Sequence, residues 1–154
     1  MKVIIIGRTK ALLDSTKLLY QNGHKIVGVI TSKAAPEYKV NEGDFENFAK
    51  ELNVPFLHDP KVNIKTLEEK FGNTKPDIAI SINYSGIIPS EVIDFFPQGV
   101  LNAHGGDLPR YRGNACQAWA IINGEKEIGL CIHKMIGGEL DSGDIIAREY
   151  LPID

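Results

Sequence analysis

The residues best equipped for chemistry fall in one stretch, Leu101-Asn102-Ala103-His104-Gly105-Gly106-Asp107-Leu108-Pro109-Arg110-Tyr111-Arg112-Gly113. Residues two apart on a strand project to the same side, so Asn102 and His104 would leave the end of an apolar strand together. An amide N–H beside an imidazole suits a developing oxyanion: the amide holds the negative oxygen while the imidazole supplies positive charge or a proton. The plainer alternative is that Asn102 caps a turn and His104 is a satisfied strand-end histidine. The glycines that follow permit close backbone approach. Arg110 and Arg112 bracket Tyr111, either as an anion-binding rim or as a solvated loop.

A second segment, Gly137-Gly138-Glu139-Leu140-Asp141-Ser142-Gly143, has the composition of an ordinary turn. A functional Asp141 would have to reach His104, where its charge would keep the imidazole protonated, and periodicity does not show that reach. The first turn, Gly7-Arg8-Thr9-Lys10, stands where doubly wound folds bind phosphate at a helix N-terminus. It lacks GxGxxG, which argues against a dinucleotide and favours an ordinary strand-to-helix turn, although Arg8 and Lys10 could still meet a substrate phosphate. No set of His, Cys, Asp and Glu has the spacing of a metal site, so no metal is expected.

These groups need a sheet edge to stand on. Lys2 to Ile6, closed by Gly7, is a short β-branched run that reads as a strand buried on both faces. Ala11 to Tyr20 carries apolar residues at helical spacing before Asn22-Gly23, and Lys25 to Ile30 repeats the strand. The crossover should be right-handed and the two strands parallel. Ser32 to Gly43 reads as an exposed loop, Asp44 as the cap of a helix over Phe45 to Leu52, and Val54 to Leu57 as the third strand. A helix over Val62 to Phe71, a strand over Asp77 to Ile82, a helix over Ser90 to Phe96 opened by Pro89, and a strand over Gly99 to Ala103 follow.

Beyond His104 come a helix near Ala115 to Ile122 and strands over Ile128 to Ile136 and Asp144 to Leu151. The connection Gly137 to Gly143 is too short for a crossover, so these last strands should form an antiparallel hairpin. The expected fold is α/β, with a Rossmann-like, doubly wound mixed sheet that is mostly parallel and ends in that hairpin. Trp119, Ile121, Ile122 and Met135 are expected in the core, with Cys116 and Cys131 as small buried residues. His133 lies in a strand and could face either side; His24 and His58 lie near turns.

A chain of 154 residues, 43% apolar and 24% charged, has the size and composition of one globular domain. Its net charge of −3 offers no general basic excess for nucleic acid. Two cysteines make no disulfide framework, which points to a reducing, cytoplasmic setting, and Val3 to Ile6 is too short for a signal peptide core or a membrane span.

Taken together, Asn102-Ala103-His104, the loop Leu108-Pro109-Arg110-Tyr111-Arg112-Gly113 and Leu140-Asp141-Ser142-Gly143-Asp144-Ile145-Ile146 resemble the catalytic domain of the folate-dependent formyltransferases. That family includes methionyl-tRNA, glycinamide ribonucleotide and sugar N-formyltransferases. The resemblance runs from the first strand to Leu151 and implies that 1–154 is a catalytic domain cut short before a further helix. It implies a formyl group passing from 10-formyltetrahydrofolate to a primary amine, without a metal, with Asn102, His104 and Asp141 as the catalytic trio. It places the folate against Tyr84, Ser85, Gly86 and Ile87 and against Ile136, Gly137, Gly138, Glu139 and Leu140, with Val92 as an apolar wall. Acceptor contacts fall to Arg8, Lys10, Arg110, Tyr111 and Arg112. The segment Gln117 to Glu125 followed by Ile132-His133-Lys134 looks most like sugar N-formyltransferases, which makes a nucleotide-linked amino sugar the first acceptor to consider. Methionyl-tRNA, glycinamide ribonucleotide and water, as in a formyltetrahydrofolate hydrolase, remain alternatives. A noncatalytic nucleotide-binding domain ranks last, and a homodimer would form through parts absent here.

Overall fold

In the computed structural model, every residue except Gly138 is described. The elements in chain order are β1 (Lys2–Gly7), α1 (Lys10–Gln21), β2 (Lys25–Thr31), α2 (Glu42–Leu52), β3 (Phe56–His58) and α3 (Ile64–Phe71). They continue as β4 (Ile78–Ile82), α4 (Ser90–Asp94), β5 (Val100–His104), α5 (Cys116–Ile122), β6 (Glu127–Lys134) and β7 (Ile145–Pro152). One sheet holds all seven strands in the order β3-β2-β1-β4-β5-β6-β7. The pairs from β3 to β5 are parallel and the last two, β5–β6 and β6–β7, are antiparallel. The expected mixed, doubly wound sheet is therefore present, with its direction reversing one pair before the terminal hairpin.

The first strand shows why the sheet is covered on both sides. Val3, Ile4, Ile5 and Ile6 are each at most 2% exposed, and alternation sends them to two separate apolar layers. Ile4 and Ile6 join Val27, Leu67, Phe71, Val92, Phe96 and Val100 on the side of α3 and α4. Val3 and Ile5 join Leu12, Val29, Phe45 and Ala49 on the side of α1 and α2. Among the described residues, no helix is long and apolar enough to cross a membrane.

Several boundaries differ from the sequence reading, each for a local reason. Asn41, not Asp44, caps α2: its side chain accepts from the Asp44 amide at 3.2 Å while the Asp44 carboxylate accepts from the Asn41 amide at 2.8 Å. That reciprocal box starts the helix at Glu42 and shortens the preceding loop. Asn63 caps α3 by accepting from the Thr66 amide, so this helix begins at Ile64 rather than Val62. The third strand starts at Phe56, and β6 ends at Lys134 rather than Ile136.

The expectation for α5 fails more broadly. Trp119, Ile121 and Ile122 are 55%, 57% and 68% exposed, because this seven-residue helix turns its small residues Cys116 and Ala120 inward. Cys116 and Cys131 are buried as expected, and Met135 packs against the core while partly exposed. All eight residues of the edge strand β7 are exposed.

Gly28 marks the tightest contact between sheet and helix. The pairing of β1 with β2 shifts register just before it, and a Cβ added there would lie 2.5 Å from the ring of the fully buried Phe71. Overpacking of this kind costs about 1–3 kcal/mol. Gly28→Ala should therefore lower the urea midpoint by a matching amount at an unchanged m value, and an unchanged midpoint would mean that the Phe71 ring yields freely.

Candidate active site

β5 is the last parallel strand, and its carboxyl end is the edge at which open α/β sheets bind ligands. Asn102 and His104 leave it on the same side as Val100, facing the layer of α3 and α4. In the antiparallel pairing with β6, Asn102 stands opposite His133 and His104 opposite Cys131. Cross-strand partners project to one face, so these four side chains form a single cluster.

His104 is 8% exposed. Its Nε2 donates to the Tyr111 carbonyl at 2.7 Å, because a carbonyl can only accept, and its Nδ1 lies 3.5 Å from Asp141 Oδ1. In the protonated ring both nitrogens thus have acceptors. Asp141 is equally well enclosed: Oδ2 accepts from the Gly113 amide at 2.9 Å, and Oδ1 also lies 3.8 Å from His133 Nε2. The residue sits at φ +51°, a left-handed conformation that Asp tolerates better than most.

The reach of Asp141 is a product of the loop that carries it. Lys134 is paired with Leu101, near the start of β5, whereas Asp141 meets His104 at its end. The intervening chain must double back along β5. Arg112 pins it there, donating from Nε (3.1 Å) and Nη2 to the Leu140 carbonyl. Gly137 lies flat on the first residue of α4, where a Cβ would collide with Ser90.

Gly137, in one segment expected around the folate, meets Ser90, which follows the other, Tyr84 to Ile87, by three residues. Tyr84 donates its hydroxyl to the Asp59 carbonyl and accepts from the Val62 amide at 3.0 Å; burial raises its pKa. Ser85 Oγ donates to Ser32 Oγ at 2.7 Å. Gly86 approaches the Pro60 carbonyl. Ile87, Ile136 and Leu140 expose 73%, 45% and 57% of their surface. Val92 is wholly buried in the apolar layer. Glu139 accepts from Ser142 Oγ at 2.7 Å. Gly138 lies outside the described residues.

The basic residues expected to receive a substrate are already engaged. Arg8 donates to the carbonyls of Asn83 and Lys33 at 2.9 and 3.1 Å and lies over the Tyr38 ring, joining the first turn to the loops after β2 and β4. Lys10 pairs with Asp14 at 2.7 Å on the exposed face of α1. Arg110 pairs with Glu125 and lies 3.6 Å from Asp107, while the Tyr111 hydroxyl donates to Glu125 at 3.0 Å.

Two members of the cluster, His133 and Cys131, are not among the site residues expected from the sequence. His133 is 1% exposed, with Nε2 3.2 Å from Asn102 Nδ2. The signal was present in its two-residue spacing from Cys131, but the register that sets it opposite Asn102 was not.

The family model of formyl transferase matches residues 1–154. The chain belongs to the formyl transferase family. Methionyl-tRNA formyltransferase of Buchnera aphidicola subsp. Baizongia pistaciae (strain Bp) is 35% identical over 150 residues, covering 95% of this chain and 46% of that protein. The chain spans about half the length of the curated family members it matches. Its fold is shared with phosphoribosylglycinamide formyltransferase from Bacillus halodurans, at TM-score 0.78 and 21% identity over 100% of this chain and 81% of that one. It is shared too with WlaRD, a sugar 3N-formyl transferase whose crystal structure was determined in the presence of dTDP and 5-N-formyl-THF, at TM-score 0.70 and 23% identity over 100% and 53%. The family resemblance read from the motifs therefore holds along the whole chain.

Cys116 provides a chemical probe of this family member's site. Its Sγ lies 3.4 Å from His104 Nε2, and burial, followed by the nearby Asp141 charge, raises the thiol pKa. Alkylation proceeds through the thiolate. Cys116 should therefore react with iodoacetamide at pH 8 far more slowly than an unhindered thiol, as read by mass spectrometry of the native chain; equal rates would contradict the enclosed cluster.

Proposed function

We propose that this chain is the catalytic domain of an enzyme that moves the formyl group of 10-formyltetrahydrofolate to a primary amine. The observation that carries the reading is the 3.5 Å approach of His104 Nδ1 to Asp141 Oδ1, made by a loop that doubles back along β5. A buried carboxylate facing an imidazole at the ligand-binding edge of the sheet, with an amide two residues before it, suits acyl transfer.

The loops fit the proposed donor. Ile87, Ile136 and Leu140 offer apolar surface to a flat heteroaromatic ring, and the backbone of 84–87, 136–137 and 139–140 offers polar partners for its edge. When bound, 10-formyltetrahydrofolate supplies the formyl carbon as an amide-like electrophile. Asn102 offers an amide N–H to the oxygen on which negative charge grows. A protonated His104 keeps positive charge beside it, with its Nε2 proton on the Tyr111 carbonyl and its Nδ1 proton toward Asp141. Asp141 balances that charge and provides a route by which the proton shed by the amine reaches the folate nitrogen as its bond to the formyl carbon breaks.

For the acceptor, we read an amino group on a nucleotide-linked sugar, met by the rim of Arg110, Tyr111 and Arg112 and by Arg8 and Lys10. The net charge is −3, and both Arg110 and Lys10 are matched by carboxylates, which suits a small ligand better than a tRNA backbone. The 35% identity to a methionyl-tRNA formyltransferase favours methionyl-tRNA as the second reading.

Tetrahydrofolate release decides between them when followed with nucleotide-linked amino sugars, methionyl-tRNA, glycinamide ribonucleotide or no amine. Asn102→Ala and His104→Ala should each lower kcat about 10²–10⁴-fold while the KM for the folate changes much less. Near wild-type turnover in both variants overturns the reading, and equal release without any amine makes the chain a hydrolase. Arg112→Ala should release the Leu140 carbonyl, quicken amide exchange over 136–143 and cost up to about 10²-fold in turnover through misplacement of Asp141.

A further inference from the structure

His133 is a buried titratable group of the cluster that the trio leaves unused. His133 is 1% exposed on β6, opposite Asn102, and each of its ring nitrogens has a partner. Nδ1 lies 3.0 Å from the Lys134 carbonyl, and Nε2 lies 3.2 Å from Asn102 Nδ2. The carbonyl can only accept, so Nδ1 carries a proton. In the neutral ring Nε2 is then an acceptor, and the Asn102 amide nitrogen donates to it. That one bond settles which way the Asn102 amide is turned, a question that its own shape leaves open because the two ends of an amide are nearly alike.

We propose that His133 is a positioning residue for the reaction. As a neutral Nδ1–H imidazole it accepts one Asn102 N–H at Nε2 and thereby holds the other available for the reacting oxygen. The inference rests on the formyl-transfer reading and adds a specific residue to it. With a non-accepting side chain at position 133, the Asn102 amide can turn by half a revolution and present its oxygen, an acceptor, where a donor is needed. The buried setting makes this choice consequential, since an unmatched amide there lacks water as a substitute partner. Asp141 Oδ1 lies 3.8 Å from the same Nε2, beyond hydrogen-bond reach, which leaves the Asn102 amide as the partner within bonding distance.

The test compares the wild-type chain with His133→Leu, which fills similar space without an acceptor, and His133→Gln, which restores one. Ring ¹⁵N shifts of His133 give a readout that is independent of turnover. The expected result is a neutral Nδ1–H tautomer. His133→Leu should lower kcat about tenfold or more with the folate KM within about twofold, and His133→Gln should recover most of the loss. In an Asn102→Ala background, His133→Leu should have little further effect, because the group it orients is gone; this is the signature of coupled residues. An Nε2–H tautomer, full activity in His133→Leu, or an undiminished effect in the Asn102→Ala background each overturns the proposal. If His133→Leu fails to fold, the tautomer and the His133→Gln kinetics still decide it. A wild-type chain inactive toward every acceptor overturns the formyl-transfer reading and the proposal together, whereas an active wild type indifferent to position 133 overturns the proposal alone.

Discussion

A carboxylate that is almost wholly removed from water must be partnered, and the site of this protein is arranged around satisfying Asp141. Its side chain is 9% exposed, and it draws a backbone amide from Gly113 and faces the rings of His104 and His133. These partners come from three places: the loop after β5, the end of β5 itself, and β6. Uncompensated burial of such a charge costs several kcal/mol, so the three segments are held in mutual register by the need to avoid that cost. The left-handed backbone at Asp141 belongs to the same requirement, since it aims the carboxylate inward from between the exposed Leu140 and Ser142.

The sheet makes the arrangement reachable. Had β6 run parallel to β5, the chain following it would have emerged at the ligand edge and gone on outward. Because β6 is antiparallel, the chain leaves it near the start of β5 and has to return. That return brings Ile136 and Gly137 beside the opening of α4, where Gly137 meets Ser90. The apolar surface at Ile136 and Leu140 is thus a consequence of one reversal in strand direction. The buried apolar layer beneath, with Val92, Phe96 and Val100, gives this edge a rigid floor.

Much of this was legible in the sequence because it is local. The β-branched run of β1, the two-residue spacing of Asn102 and His104, and the short link between β6 and β7 each carry their meaning within a few residues. The cap of α2 was also local, but two candidate residues competed, and the reciprocal bond between Asn41 and Asp44 selects the earlier one. What could not be read was relative placement. Periodicity gives His133 a face but no neighbour, and the Asp141 loop gives a turn composition but no direction. For α5 the apolar residues misled, because Cys116 and Ala120 are the small side chains that let the helix approach the sheet, leaving Trp119 and Ile122 outside.

The arginines show how one motif serves two levels of the structure. Arg8 spends two donors on backbone carbonyls from separate loops, and Arg112 spends two on the carbonyl next to Asp141. A guanidinium suits this work because its planar fork can bind a carbonyl and still present further N–H groups. Such contacts near the surface contribute little to global stability, roughly 0–1 kcal/mol each by analogy with exposed ion pairs. Their value lies in position: a carbonyl held beside residue 140 fixes where the carboxylate of residue 141 stands. The same cations would meet an anionic acceptor only with the donors left over. On the proposed reading, acceptor binding is coupled to loop geometry, since any group that draws Arg112 away from Leu140 also moves the carboxylate that faces His104.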